Sequence, residues 1–262
     1  MDEMNFTVKP SFKDRLRRLE WKKIALIAAA AVVLVVLVLV LLSLGNTRNA
    51  PVSVMQKYAN AKEIKEETLY KDLLAGVEGG NAAKIIKLLK TSDEFKDDLA
   101  DEEERFADRY EDMVDEYGKN FKITYKNDKS VEEKLDRDDL KDYRARIKSI
   151  GEDYADLGKT LGKLKSADLK DLAEDLDLST SDAKALIDAM KTLGQKLKGV
   201  EVSDGYALEV LSRITGSELD DPEEDDMDLI VLKVDGKWVS YSSFSLLSSL
   251  YSRIYTAVQK YI

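Results

Sequence analysis

The chain has 262 residues, 35% of them charged, and a formal net charge of −10. It contains no cysteine and no histidine; this excludes disulfides, thiol chemistry, acylation on cysteine and cysteine-metal sites, and it removes the commonest metal ligand and the usual acid–base side chain near neutral pH. The acidic balance argues against nucleic acid as a partner for the bulk of the protein.

Residues 1–23 form a basic segment. The run Ile24–Leu44, IALIAAAAVVLVVLVLVLLSL, then has 21 residues, of which Ser43 alone is polar. At about 1.5 Å rise per residue a helix of that length spans roughly 30 Å, the hydrocarbon thickness of a bilayer. The expectation is a single transmembrane helix over 24–44, with Trp21, Lys22 and Lys23 as its inner anchor flank. Seven Lys/Arg precede the run and two follow it before Asn60. By the positive-inside rule the N-terminus is cytoplasmic, and the remainder lies outside the cell membrane. Ser43-Leu44-Gly45 has the look of a cleavage site, but the apolar run exceeds the ~7–15 residues of a signal-peptide core, which favours a retained anchor. Residues 1–23 carry seven basic and four acidic side chains, so the part beyond the span carries −13.

Residues 45–50 read as a short polar linker and 51–262 as one outer domain. Pro51 suits the start of a helix; Val52, Met55, Tyr58 and Ala59 continue it with helical spacing towards Leu74. Gly79-Gly80-Asn81 reads as a break, with Asn81 capping a helix striped by Ile85, Ile86, Leu88 and Leu89. Asp101–Tyr117 is the next helix, with Phe106, Tyr110, Met113 and Tyr117 on one face and Gly118 ending it. Phe121, Ile123 and Tyr125 alternate with polar residues, the mark of a half-buried strand. Residues 138–197 return to helix, striped by Leu140, Tyr143, Ile147 and Ile150, then by leucines to Leu197. Tyr206–Ile214 and Asp228–Val234 read as strands around an acidic turn, 216–226. Asp235-Gly236 is a tight turn into a last strand carrying Trp238, and 244–262 is a terminal amphipathic helix. The order of elements predicts an α+β fold, helices packed on a twisted antiparallel sheet, with 138–197 as a helical insertion. In that arrangement the hairpin Asp228–Ser243 closes the core and shows its Lys and Asp side to solvent.

The succession PVSVMQKYA, GGNAAKIIKLL, an acidic helix, FKITYK and DLIVLKVDGKWVS resembles the nuclear transport factor 2-like domain, a cystatin-like α+β roll. It is similar in particular to uncharacterised membrane-anchored members from Gram-positive bacteria. The resemblance covers residues 51–130 and 200–243; the insertion and the terminal helix depart from the plain pattern. It implies a cone-shaped roll with an open end, a shape used for catalysis, binding and assembly alike. Enzymes of that fold often place a His and an Asp in the pocket; with no His here, no catalytic residue carries over.

Two acidic stretches offer the oxygen ligands of a metal site. The run from Glu218 to Asp228 offers oxygen ligands suited to Ca²⁺, but it lacks calcium-loop spacing and reads as a solvated turn. Asp175, Asp177, Ser179 and Ser181 occupy odd positions of a calcium loop, yet Thr180 stands where glycine is required and Leu186 where glutamate is. Tyr251, Tyr255 and Tyr261 offer either a partner surface or core packing. The composite expectation is a non-enzymatic, single-pass protein of the cell envelope with a binding or interaction role. Its partners are the lipid bilayer and an envelope protein; no cofactor, metal or catalytic residue is assigned. The alternatives are a scaffold subunit of a secretion or conjugation assembly, a small-ligand binding or sensing domain, and a carboxylate-only hydrolase.

Overall fold

The computed structural model describes residues 47–75, 77 and 79–262. The expected span 24–44 and its flank Trp21, Lys22 and Lys23 lie outside these residues. Among the described residues no helix is long and apolar enough to cross a membrane. The fold is α+β, as the order of elements predicted. Its helices are α1 (Ala50–Ala59), α2 (Glu66–Leu73), α3 (Gly79–Leu89), α4 (Asp93–Tyr117), α5 (Arg137–Leu161), α6 (Ser166–Asp175), α7 (Thr180–Lys198) and α8 (Ser242–Val258). Its strands are β1 (Lys122–Lys134), β2 (Val202–Thr215), β3 (Glu223–Val234) and β4 (Lys237–Ser240). They form one sheet in the order β1-β2-β3-β4, every neighbouring pair antiparallel. Helices α5 to α7 therefore sit between two strands that are hydrogen-bonded neighbours.

The hairpin differs from expectation in one respect that organises the fold: both of its faces are covered. Leu229 and Val231 pack with Leu208, Val210 and Val52 of α1, and Trp238 lies against this cluster with its ring 5.8 Å from that of Tyr206. Leu232, Val234 and Val239 face the opposite way, into the larger core built from α2, α3, α5 to α8 and the start of α4. A nearly continuous apolar run, LIVLKV, is what a strand buried on both faces requires. The three early helices thus do not share one face: α1 covers one side of the sheet, while α2 and α3 belong to the core on the other. The Asp235-Gly236 turn is as expected. Both residues have positive φ, 47° and 79°, as a two-residue hairpin loop following the sheet twist demands. The Asp235 carboxylate also accepts from the Glu201 amide at 2.9 Å, tying the turn to the start of β2.

Several boundaries move for identifiable reasons. The first helix stops at Ala59 and restarts as α2. Helix α3 begins at Gly79, two residues ahead of the expected Asn81 cap, and Gly79 packs so tightly that a methyl there would meet the Lys71 carbonyl at 2.6 Å. Helix α4 begins at Asp93, with Phe95 and Leu99, four apart, buried beneath its charged first turns. Glu223 to Asp226 join β3 instead of the acidic turn, because Leu211–Ile214 of β2 present a ladder for them to pair with. The expected linker is partly built into the domain: Arg48 pairs with Glu132 of β1 and sits 4.7 Å above the Tyr206 ring, and Asn49 accepts from Asn127 at 2.9 Å.

Helix α1 also closes the outer edge of β1 with side chains. Gln56 Nε2 donates to the Ile123 carbonyl at 3.0 Å, and its Oε1 accepts from the Tyr125 amide at 2.8 Å. Asn60 repeats the arrangement on Ile123, accepting from its amide at 2.7 Å and donating to its carbonyl at 2.9 Å. Two amides at i and i+4 on one helix face thus stand in for a missing strand, and unpaired edges are templates for aggregation. We expect the Gln56→Ala/Asn60→Ala double variant to lose about 2–4 kcal/mol, since a partly buried backbone group left unpaired costs ~1–3 kcal/mol. Urea denaturation checks the loss, and light scattering checks the exposed edge; an unchanged midpoint would show that water replaces both amides.

Candidate functional site

The helix face read from Phe106, Tyr110 and Met113 closes only in part: Tyr110 and Met113 pack against the small buried cluster of Tyr117, Phe121 and Ile123. Phe106, Tyr110 and Met113 are half-buried, and they look across a cleft of about 210 Å³ at β1. Phe121, Ile123 and Tyr125 form its floor; Met55, Tyr58, Ile64 and Leu69, from α1, α2 and the segment between them, form the second wall. Tyr110 and Phe121 rings stand 5.1 Å apart at 58°, a tilted pair joining wall to floor. Helix α4 is held at its ends, by Phe95 and Leu99 at one and by Tyr117 at the other, all buried. Gly118, with φ of 89°, turns the chain sharply from helix into strand.

The polar groups of the cleft are few. Tyr58 Oη donates to Asp72 Oδ2 at 2.6 Å, and Lys57 pairs with the same carboxylate. Burial works against ionisation of Asp72, but the hydrogen bonds from Lys57 and Tyr58 outweigh it and hold its pKa below the usual range. Burial, then the bond to Asp72, pushes the Tyr58 hydroxyl up. Tyr58 therefore remains protonated, with its proton donated to Asp72 and its oxygen already facing the Lys57 ammonium. Arg109 lines the α4 wall and has no ion pair among the described residues. Its planar guanidinium is suited to stacking on an aromatic ring. The cleft supplies apolar area, the hydroxyl-bearing rings of Tyr58, Tyr110 and Tyr125, and the Arg109 cation.

A second cluster lies where α2, α3, α4 and α8 meet. Glu66 is 2% exposed, and its Oε2 has no hydrogen-bond partner among the described residues. Lys90 pairs with Glu67 at 2.9 Å and with Glu103, while Arg253 pairs with Glu102. Burial pushes the Glu66 carboxyl up to about 7, with Glu103 and Glu67 adding to the shift against the opposing pull of Arg253 and Lys90. The neighbouring Tyr70 is pushed to about 12, again mainly by burial.

The sequence-derived candidates fall elsewhere. Asp235, Gly236 and Trp238 hold the hairpin and do not meet the cleft lining. Tyr251 packs edge-on against the buried Tyr154 at 5.4 Å, and Tyr261 bonds to Asp175, so two of the three terminal tyrosines are internal contacts. Tyr255 is 38% exposed. Ser179 caps α7, accepting from the Asp182 amide at 3.0 Å. Among the described residues no group of three acidic side chains is arranged to hold a metal ion. Tyr58, Asp72 and Arg109 were not singled out from sequence; only the stripe Phe106, Tyr110, Met113 gave a signal, because a face that apolar on a helix that acidic needs something to cover it. Comparison with protein-family models, with curated proteins and with solved structures found no match to this chain.

Proposed function

We propose that the chain is a non-enzymatic binding protein, anchored by residues 24–44 in the cell membrane, that presents its α+β unit outside the cell. The cleft between α4 and β1 is its binding site. The observation that carries this reading is the apolar cleft itself: three half-buried side chains of α4 face it across the floor of β1. The finer fold reading is a cystatin-like roll of the nuclear transport factor 2-like kind. In its favour are the leading helix across one face of the sheet, the antiparallel order and the cleft at one end. The helical insertion and α8 build the core on the other face.

Size separates the ways such a cleft is used. Drug-sized ligands take pockets of about 300–1,000 Å³, whereas about 150 Å³ of apolar space accepts one benzene ring. At about 210 Å³, the cleft fits one large side chain of a partner better than a free cofactor. That favours protein interaction over small-ligand sensing, and it is compatible with a scaffold role in a membrane assembly.

Photo-crosslinking in intact cells tests the reading. A photoreactive residue replacing Phe106 should capture a discrete partner. The same residue at Lys184, on the exposed surface of α7, should not. Equal capture at both positions, or none at Phe106, would rule out the cleft as the binding site.

A further inference from the structure

The charge of the outer part is concentrated on one element. Helix α4 carries thirteen carboxylates against three cations, a net of −10. The residues beyond the span carry −13 in all, so everything outside α4 shares a net of −3. Most of these carboxylates are exposed, including Asp108, Glu111, Asp112, Asp115 and Glu116 beside the cleft-facing stripe. The arrangement is unfavourable to the helix itself. Like charges three and four residues apart repel. Carboxylates in the last turn oppose the negative end of the helix dipole, where α4 has no basic residue. A cation-bearing partner would relieve both effects. One wall of the apolar cleft and a self-repelling acidic flank therefore lie on the same helix.

From this juxtaposition we propose that the α4–β1 cleft docks a basic peptide segment of a partner protein. One aromatic side chain enters the cleft, and Lys or Arg residues on either side meet the carboxylates of α4. The inference rests on the cleft being the binding site and adds the chemical class of what binds. An aromatic anchor fits better than an aliphatic one, because Phe106, Tyr110, Phe121 and Tyr125 present ring edges and faces and Arg109 offers a flat cation to stack on. Opposite charge would also speed encounter and make the affinity fall with salt.

The test uses the full chain in nanodiscs of neutral lipid and three labelled twelve-residue peptides, read by fluorescence anisotropy. The first alternates Lys and Ala around a central Trp; the second replaces that Trp with Ala; the third replaces each Lys with Glu. The first peptide is expected to bind, with at least tenfold weaker binding for the second and none for the third. Two variants locate the site. Phe106→Ala should weaken the first peptide at least tenfold. Asp112→Lys/Asp115→Lys/Glu116→Lys should do the same, and because those positions are exposed and cations suit a helix C-terminus, this triple variant keeps its fold. Far-UV circular dichroism of both variants confirms folding. Binding of the first peptide that ignores the Trp or the triple reversal overturns the proposal, as does its failure to bind. If the acidic peptide binds through its Trp, the cleft reading stands and the charge class is wrong. If no peptide binds and Phe106 crosslinks to nothing in cells, both fail together.

Discussion

Gly194→Leu is expected to unfold the helical insertion. Gly151 on α5 faces Gly194 on α7, Gly158 faces Lys191 one turn away, and the two helices meet backbone to backbone. A methyl carbon at Gly194 would lie 2.3 Å from the Ala155 nitrogen and 2.6 Å from the Gly151 carbonyl oxygen; one at Gly151 would lie 2.7 Å from the Lys198 nitrogen. No rotamer relieves a clash with backbone, so the helices must separate and release the apolar stripes that Leu157, Leu161, Leu186, Ile187, Met190 and Leu193 bury between and around them. Overpacking usually costs ~1–3 kcal/mol where side chains can yield; here we expect more than about 4 kcal/mol, in the range reserved for a broken core. That is a large part of the roughly 5–15 kcal/mol that holds a domain folded. Gly80→Ala is the control, because a methyl at Gly80 meets nothing within 4 Å inside α3. It should add about 0.5–1 kcal/mol through helix propensity and a less flexible unfolded chain. Urea titrations followed by circular dichroism compare the two. A Gly194→Leu midpoint within experimental error of the parent would refute the close contact.

Glu66→Gln should stabilise the protein in alkaline solution and leave it unchanged in acid. The Glu66 pKa rises from an ordinary 4.5 to about 7 in the folded state. The folded protein therefore holds a proton there that the unfolded chain has released. Its contribution to stability is fully present below pH 4.5 and is lost as the pH rises through 7. Above pH 7 the buried carboxylate costs about 3 kcal/mol, since one pKa unit is worth ~1.36 kcal/mol. Glutamine keeps the shape and cannot ionise, so the gap between variant and parent should open between pH 5 and pH 8. Comparing the two at each pH cancels the titration of the many exposed carboxylates. A gap that is constant with pH would mean that Glu66 does not take up a proton on folding.

The sequence disclosed the elements better than their company. Period-two alternation located β1, and Asp235-Gly236 identified the hairpin, because both signals are local. That the hairpin is covered on both faces was also written in LIVLKV, a run too continuous for a half-exposed strand, but the charges around it suggested a wet side. The glycines of α5 and α7 were readable in principle. A glycine inside a helix costs about 1 kcal/mol relative to alanine, and three of them at Gly151, Gly158 and Gly194 amid leucine stripes mark a close approach. Glu66 was not legible, since nothing in EETLYKDL distinguishes the buried carboxylate from the exposed ones until α3, α4 and α8 close over it. The cleft was half legible. The stripe of α4 showed, but the floor and second wall that face it come from β1, α1 and α2, whose placement is a tertiary fact.

The edge of β1 has a consequence for how motion in this domain is observed. The amides of Ile123 and Tyr125 belong to a strand, yet their acceptors are side chains of Asn60 and Gln56. Their exchange with solvent deuterium is therefore governed by the detachment of α1, while the amides of β2 and β3 follow the opening of the sheet. Two strand positions thus act as a clock for the helix through which the chain enters the domain, and they also line the floor of the cleft. Anything that seats itself there, or pulls on the chain ahead of α1, is registered at the same two hydrogen atoms.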